Sequence, residues 1–98
     1  MTKEQIIQKI IQNENFLRSR GIKRIVLFGS YSRNEQTARS DVDFIWDLEK
    51  PRTLNSMGAA QRALDELFPD IKIDTVFESA IHKYLKASIT EDMIEILR

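Results

Sequence analysis

The apolar positions follow two different periods along the chain, and the changes of period mark out its elements. From Thr2 to Gly21, Ile6, Ile7, Ile10, Ile11 and Leu17 recur at helical spacing. Thr2 with Gln5 forms a capping-box start and Gly21 supplies a C-terminal cap, so one helix is predicted over this stretch. Lys23 to Phe28 then carries an unbroken apolar run, Ile25-Val26-Leu27-Phe28, as expected of a strand buried on both faces. Gly29-Ser30 interrupts it. Ser30 to about Glu35 has room for one short helical turn, and Gln36 to Ser40 reads as a polar loop.

The period of two returns at Asp41 to Asp47, where Val42, Phe44 and Trp46 alternate with Asp41, Asp43 and Ile45. Met57, Ala60, Ala63, Leu64, Leu67 and Phe68 form the stripe of another helix, stopped by Pro69. Ile71 to Phe77 predicts a third strand with Asp74 inside it. Ser79 is placed to cap a helix carrying Ile81, Leu85 and Ile89, and Met93 to Leu97 either forms a final short strand or extends that helix. No repeat or low-complexity tract divides these elements, so residues 1–98 are read as one domain: an α/β (α+β) fold with a small mixed sheet packed against helices.

Composition narrows the function. Fifteen basic and fifteen acidic residues cancel, so no long-range field favours nucleic acid or an anionic membrane as a direct partner. The absence of cysteine removes disulfides, thiolate nucleophiles and thiolate metal sites, in keeping with a reducing compartment. The charged residues threaded through MTKEQIIQKIIQNENF fit neither a signal peptide nor a spanning segment. The expectation is a soluble cytoplasmic protein.

The aspartates are the anomaly. Asp is disfavoured in strands, yet Asp41 and Asp43 share one strand face, about 6.5–7 Å apart along the chain. Unpaired, each raises the pKa of the other; together they suit a hard, oxygen-seeking cation such as magnesium, whose remaining ligands are water and substrate phosphates. Gly29 lets backbone approach a phosphate, Ser30 offers a hydroxyl, and the N–H groups that follow favour an anion. Gly29 ends one strand and Asp41 begins the next, so they share a site only if those strands are antiparallel. Asp74 completes the set if the third strand lies beside the second. Three carboxylates can hold two Mg2+ ions for an in-line displacement at phosphorus, with Asp74 as proton acceptor. His82, Tyr31 and Tyr84 read as surface or partly buried residues, Trp46 and Phe44 as core, and Glu91-Asp92 as a solvated turn.

Gly29-Ser30, the ten-residue gap, Asp41-Val42-Asp43 and the later Asp74 resemble the signature of the minimal nucleotidyltransferases (MNT) of the DNA polymerase beta-like superfamily, over nearly the whole chain. Tyr31-Ser32-Arg33 is similar to that family's Gly-Ser-x-Ala-Arg-Gly run, with Ser32 in place of alanine and Asn34 in place of glycine. Asn tolerates the left-handed conformation that such a glycine serves. The resemblance implies an αβαβαβ core, a nucleotide site at Gly29 and Ser30 braced by Arg33, and catalytic and metal-binding roles for Asp41, Asp43 and Asp74. It further implies ATP as substrate, Mg2+ as cofactor and a partner: the antitoxin of a type VII HEPN–MNT pair, which transfers AMP from ATP to a tyrosine of its HEPN ribonuclease toxin and releases pyrophosphate. So short a chain is also expected to meet its acceptor through a partner, in a homo- or hetero-oligomer. Two alternatives stay open at this point: an antitoxin that neutralises by binding alone, and transfer to a small molecule.

Overall fold

The computed structural model describes residues 1–37, 39–84 and 92–98. Thr2 accepts the Gln5 N–H while the Gln5 side chain accepts the Thr2 N–H, the reciprocal cap read from the sequence, and it opens α1 (Lys3–Gln12). The expected single helix is in fact two. Asn13 turns its side-chain amide back onto the Lys9 carbonyl at 2.8 Å, ending α1, and α2 (Glu14–Ser19) restarts beyond it. The break leaves Ile11 half exposed, whereas Ile6, Ile10 and Leu17 reach the core. Gly21 closes the pair at φ +89°.

Four strands follow in a sheet of order β3-β2-β1-β4. Strand β1 (Ile22–Phe28) is central, with β2 (Val42–Leu48) and β4 (Ile94–Leu97) antiparallel on its two sides. Strand β3 (Ile73–Phe77) lies parallel to β2 in the register Val42↔Ile73, Asp43↔Asp74, Phe44↔Thr75. The mixed sheet is therefore as expected, and it agrees with the fully buried run Ile25, Val26 and Leu27.

The helices divide between the two faces. On one, α1, α2 and α3 (Leu54–Leu67) cover Ile25, Leu27, Val42, Phe44 and Trp46, with Phe44 tilted against Phe68 at 6.3 Å between ring centres. On the other, Ile81 of α4 (Glu78–Tyr84) packs with Phe28 and Met93 onto Val26 and Ile45. Because side chains alternate along a strand, the residues anchored in the larger core leave Asp43 and Asp74 on the face shared with α4. Helix α4 begins at Glu78, so Ser79 lies inside it rather than capping it. The readings made of the His82 and Tyr84 side chains, of Leu85 and Ile89, and of Glu91 fall outside the described residues.

Candidate active site

The end of β1 and the starts of β2 and β3 meet at one edge of the sheet, because β1 runs against the other two. Phe28 pairs with Asp43, and Asp43 pairs with Asp74. Neighbouring strands are about 4.8 Å apart, which brings these two carboxylates side by side. Asp41 stands one residue ahead of β2. The sheet thus gathers Gly29, Asp41, Asp43 and Asp74, as the spacing required.

Gly29 has a role the sequence reading did not foresee. Its φ is +80°, and a Cβ added there would lie 2.5 Å from Asp43 Oδ2. The glycine makes room for a carboxylate of its own chain, whatever space it also leaves for a phosphate. Beyond it no helix forms. Residues 30–35 are instead a series of hydrogen-bonded turns: the Ser32 N–H and Oγ–H both donate to the Gly29 carbonyl, and the Arg33 and Glu35 N–H groups both donate to the Ser30 carbonyl. Asn34 takes the left-handed conformation, φ +57°, at the place where the resembling motif has glycine. Tyr31, expected at the surface or only partly buried, is 4% exposed and joins the main core, pinning the loop from beneath.

Electrostatics single out Asp43. Burial raises its pKa above the ordinary aspartate value, the charges of Asp74 and Asp41 raise it further, and among the described residues the guanidinium of Arg33 works in the other direction. Arg33 itself is held at 3.4 Å from both Glu35 and Asp92, so it ties the loop to the approach of β4. It also makes Asp92 more than a solvated turn residue.

Lys72 was not foreseen at all. Its ammonium lies 3.9 Å from Asp41 Oδ2 and 3.8 Å from Asp74 Oδ1. Among the described residues no three His, Asp or Glu side chains form a ready cage for a metal ion. Magnesium needs no such cage, since it binds through one or two carboxylates and keeps water and phosphate oxygens as its other ligands. A carboxylate whose pKa is raised by two neighbouring carboxylates is a donor set short of positive charge. Asp41, Asp43 and Asp74 therefore fit a divalent cation. A cleft of about 450 Å3 lined by Gln61, Asp65, Phe68 and Ile71 touches this cluster only through Lys72.

Residues 7–96 match the family model described as "Nucleotidyltransferase domain". A relative from Methanocaldococcus jannaschii, named "Putative protein adenylyltransferase", is 42% identical over 76 residues, 76% of each chain. The protein adenylyltransferase MntA of Thermococcus cleftensis is 27% identical over 97 residues, covering 98% of this chain and 97% of that one. A solved structure described as a "putative minimal nucleotidyltransferase" superposes with a TM-score of 0.76 at 26% identity, covering 96% of this chain and 95% of that one. With its mixed sheet, its Gly-Ser turn and its acidic strand ends, this chain belongs to the nucleotidyltransferase domain family.

Proposed function

We propose that the chain is a magnesium-dependent protein adenylyltransferase that moves AMP from ATP to a tyrosine of a HEPN ribonuclease partner, as the antitoxin of a HEPN–MNT pair. The observation that carries the catalytic part is the direct pairing of Asp43 with Asp74 on adjacent strands, beside Asp41 and the turn at Gly29. The names of the relatives support a protein as acceptor. The HEPN partner and the tyrosine rest on the resemblance of Gly29-Ser30, Asp41-Val42-Asp43 and Asp74 to the minimal nucleotidyltransferases.

The chain's residues divide the work as follows. Asp41, Asp43 and Asp74 would hold the magnesium ions, which when bound would offset phosphate charge and favour departure of pyrophosphate. The turn after β1 receives the triphosphate through Ser30 and the neighbouring backbone, with Arg33 adding positive charge behind it. The acceptor phenol oxygen attacks the α-phosphorus of ATP, and the bond from that phosphorus to the oxygen bridging to the β-phosphate breaks. The phenol proton passes to Asp74, AMP stays on the tyrosine and pyrophosphate leaves. The sheet's contribution is positioning, which supplies most of the catalysis in transfers of this kind.

The test is to incubate the protein with ATP, magnesium and its co-expressed HEPN partner and to measure the partner's intact mass. One or more adenylyl groups on a tyrosine are expected with the native chain and none with Asp43→Asn. Full neutralisation of the toxin by Asp43→Asn would replace catalysis with occlusion as the mode of action.

A further inference from the structure

We propose that Lys72 is a displaceable internal counter-cation, a positioning residue that keeps Asp41 and Asp74 together until a divalent cation takes its place. The inference rests on the magnesium reading above and adds to it a residue of this chain that competes for the same carboxylates.

Three observations carry it. First, the backbone of Lys72 is fixed while its side chain is free: its carbonyl accepts the Val42 N–H at 3.0 Å, in the stretch between Asp41 and Asp43, yet the side chain is 71% exposed. The ammonium is thus delivered to the cluster by the β2–β3 pairing without being built into the core. Second, it faces two carboxylates from different segments, Asp41 just ahead of β2 and Asp74 in β3, at nearly equal distance, 3.9 Å from Asp41 Oδ2 and 3.8 Å from Asp74 Oδ1. Both distances exceed the 2.7–3.2 Å or so of a hydrogen bond. The contact is a loose charge pairing that spans the pair, where a bivalent ion could bridge them more strongly. Third, like charges are gathered where the ammonium lies: Asp43 pairs directly with Asp74 on the adjacent strand, and Asp41 stands one residue ahead of β2.

An exposed ion pair contributes little to stability. Such a contact restrains two carboxylates yet yields readily to a compact divalent ion. The cost to that ion is modest and measurable. Removing a competitor that makes two such contacts should tighten metal binding about three- to tenfold.

The experiment uses the full chain with MgCl2 or MnCl2 as the only ligand, without nucleotide, acceptor or partner, and follows thermal stability against metal concentration in about 0.15 M salt to screen distant charges. Lys72→Met is expected to lower the metal-free Tm and to reduce the half-saturating metal concentration about three- to tenfold, whereas Lys72→Arg keeps the wild-type midpoint. Lys23→Met removes a lysine that pairs with Asp47 at 4.0 Å, near the other end of β2, and is expected to leave the midpoint unchanged. Lys72→Gln serves as a second neutral variant and is expected to match Lys72→Met. A midpoint for Lys72→Met and Lys72→Gln that is equal to or above wild type overturns the proposal while leaving the magnesium reading intact. A wild-type chain with no response to either metal overturns both.

Discussion

Replacing Gly29 by alanine separates what the glycine does for the fold from what it does for the site, because Gly21 provides a matched control. Both residues have positive φ, +89° at Gly21 and +80° at Gly29. An alanine at either position is strained by about 1–2 kcal/mol, which for a domain of this size lowers Tm by on the order of 10 °C. The surroundings differ. A Cβ at Gly21 meets nothing within 4 Å, but at Gly29 it lies 2.5 Å from Asp43 Oδ2. That contact is relieved at little cost to the fold, since Oδ2 ends a short side chain that can rotate. Asp43 must nevertheless withdraw by about 1 Å, and a misplacement of that size costs on the order of 10²-fold in rate. The two variants should therefore lose similar stability, while only Gly29→Ala loses function. The assay is paired: Tm without metal, then the rate of AMP transfer from ATP at a temperature well below both melting points. Equal rates for Gly21→Ala and Gly29→Ala would refute the reasoning, as the close approach to Asp43 would then carry no functional weight.

Asp43→Asn should change stability in a pH-dependent way. A carboxylate whose pKa is raised in the folded state binds more protons there than in the unfolded chain, so its contribution falls as pH rises from the ordinary aspartate value through the raised one. In EDTA the Asn variant is expected to match wild type at the acid end and to exceed it at neutral pH; a Tm difference independent of pH would contradict the assigned cause. Arg33→Ala removes a charge that lowers the pKa of Asp43, so the pH at which metal binding appears should move upward. Because its pairs with Glu35 and Asp92 are loose and part exposed, the loss of stability by urea titration should stay under about 1 kcal/mol. Phe44→Ala empties a fully buried position against Phe68 and should cost about 3–5 kcal/mol, seen as a drop in the urea midpoint.

The features legible in the sequence share a strong local cause. The run Ile25-Val26-Leu27 announced a strand covered on both faces, and β1 indeed has a neighbouring strand on each side and packing above and below. The alternation around Asp43 placed Val42, Phe44 and Trp46 in the core and left the acids on the opposite face. The features that were not legible depend on contacts far apart in sequence or on a choice between equal local options. The helical spacing of Ile6, Ile10 and Leu17 continues through Asn13, so nothing in the periodicity marks the break that its side chain makes. Tyr31 sits in a polar stretch, and only the surrounding core reveals it as an anchor. Lys72 alternates with Ile71 and Ile73 like any solvent-facing lysine. Its proximity to Asp41 exists only because β3 pairs with β2 in parallel, and in the observed register.

That register also explains how the sheet tolerates three neighbouring acids. Each acid is flanked by residues that point the other way into the core: Val42 and Phe44 are fully buried beside Asp43, and Ile73 is buried beside Asp74. Burying side chains of this size contributes about 1.5–3 kcal/mol apiece, which exceeds the repulsion expected between partly exposed carboxylates. A shift of one residue between β2 and β3 would turn Asp43 or Asp74 inward and a core residue outward, a change far costlier than the repulsion it relieved. The hydrophobic face thus fixes the acidic face: the carboxylates stay together, undercompensated, because moving them apart would expose Phe44. Their shortage of positive charge is then available to drive cation binding, and Lys72 and Arg33 set how large that shortage is.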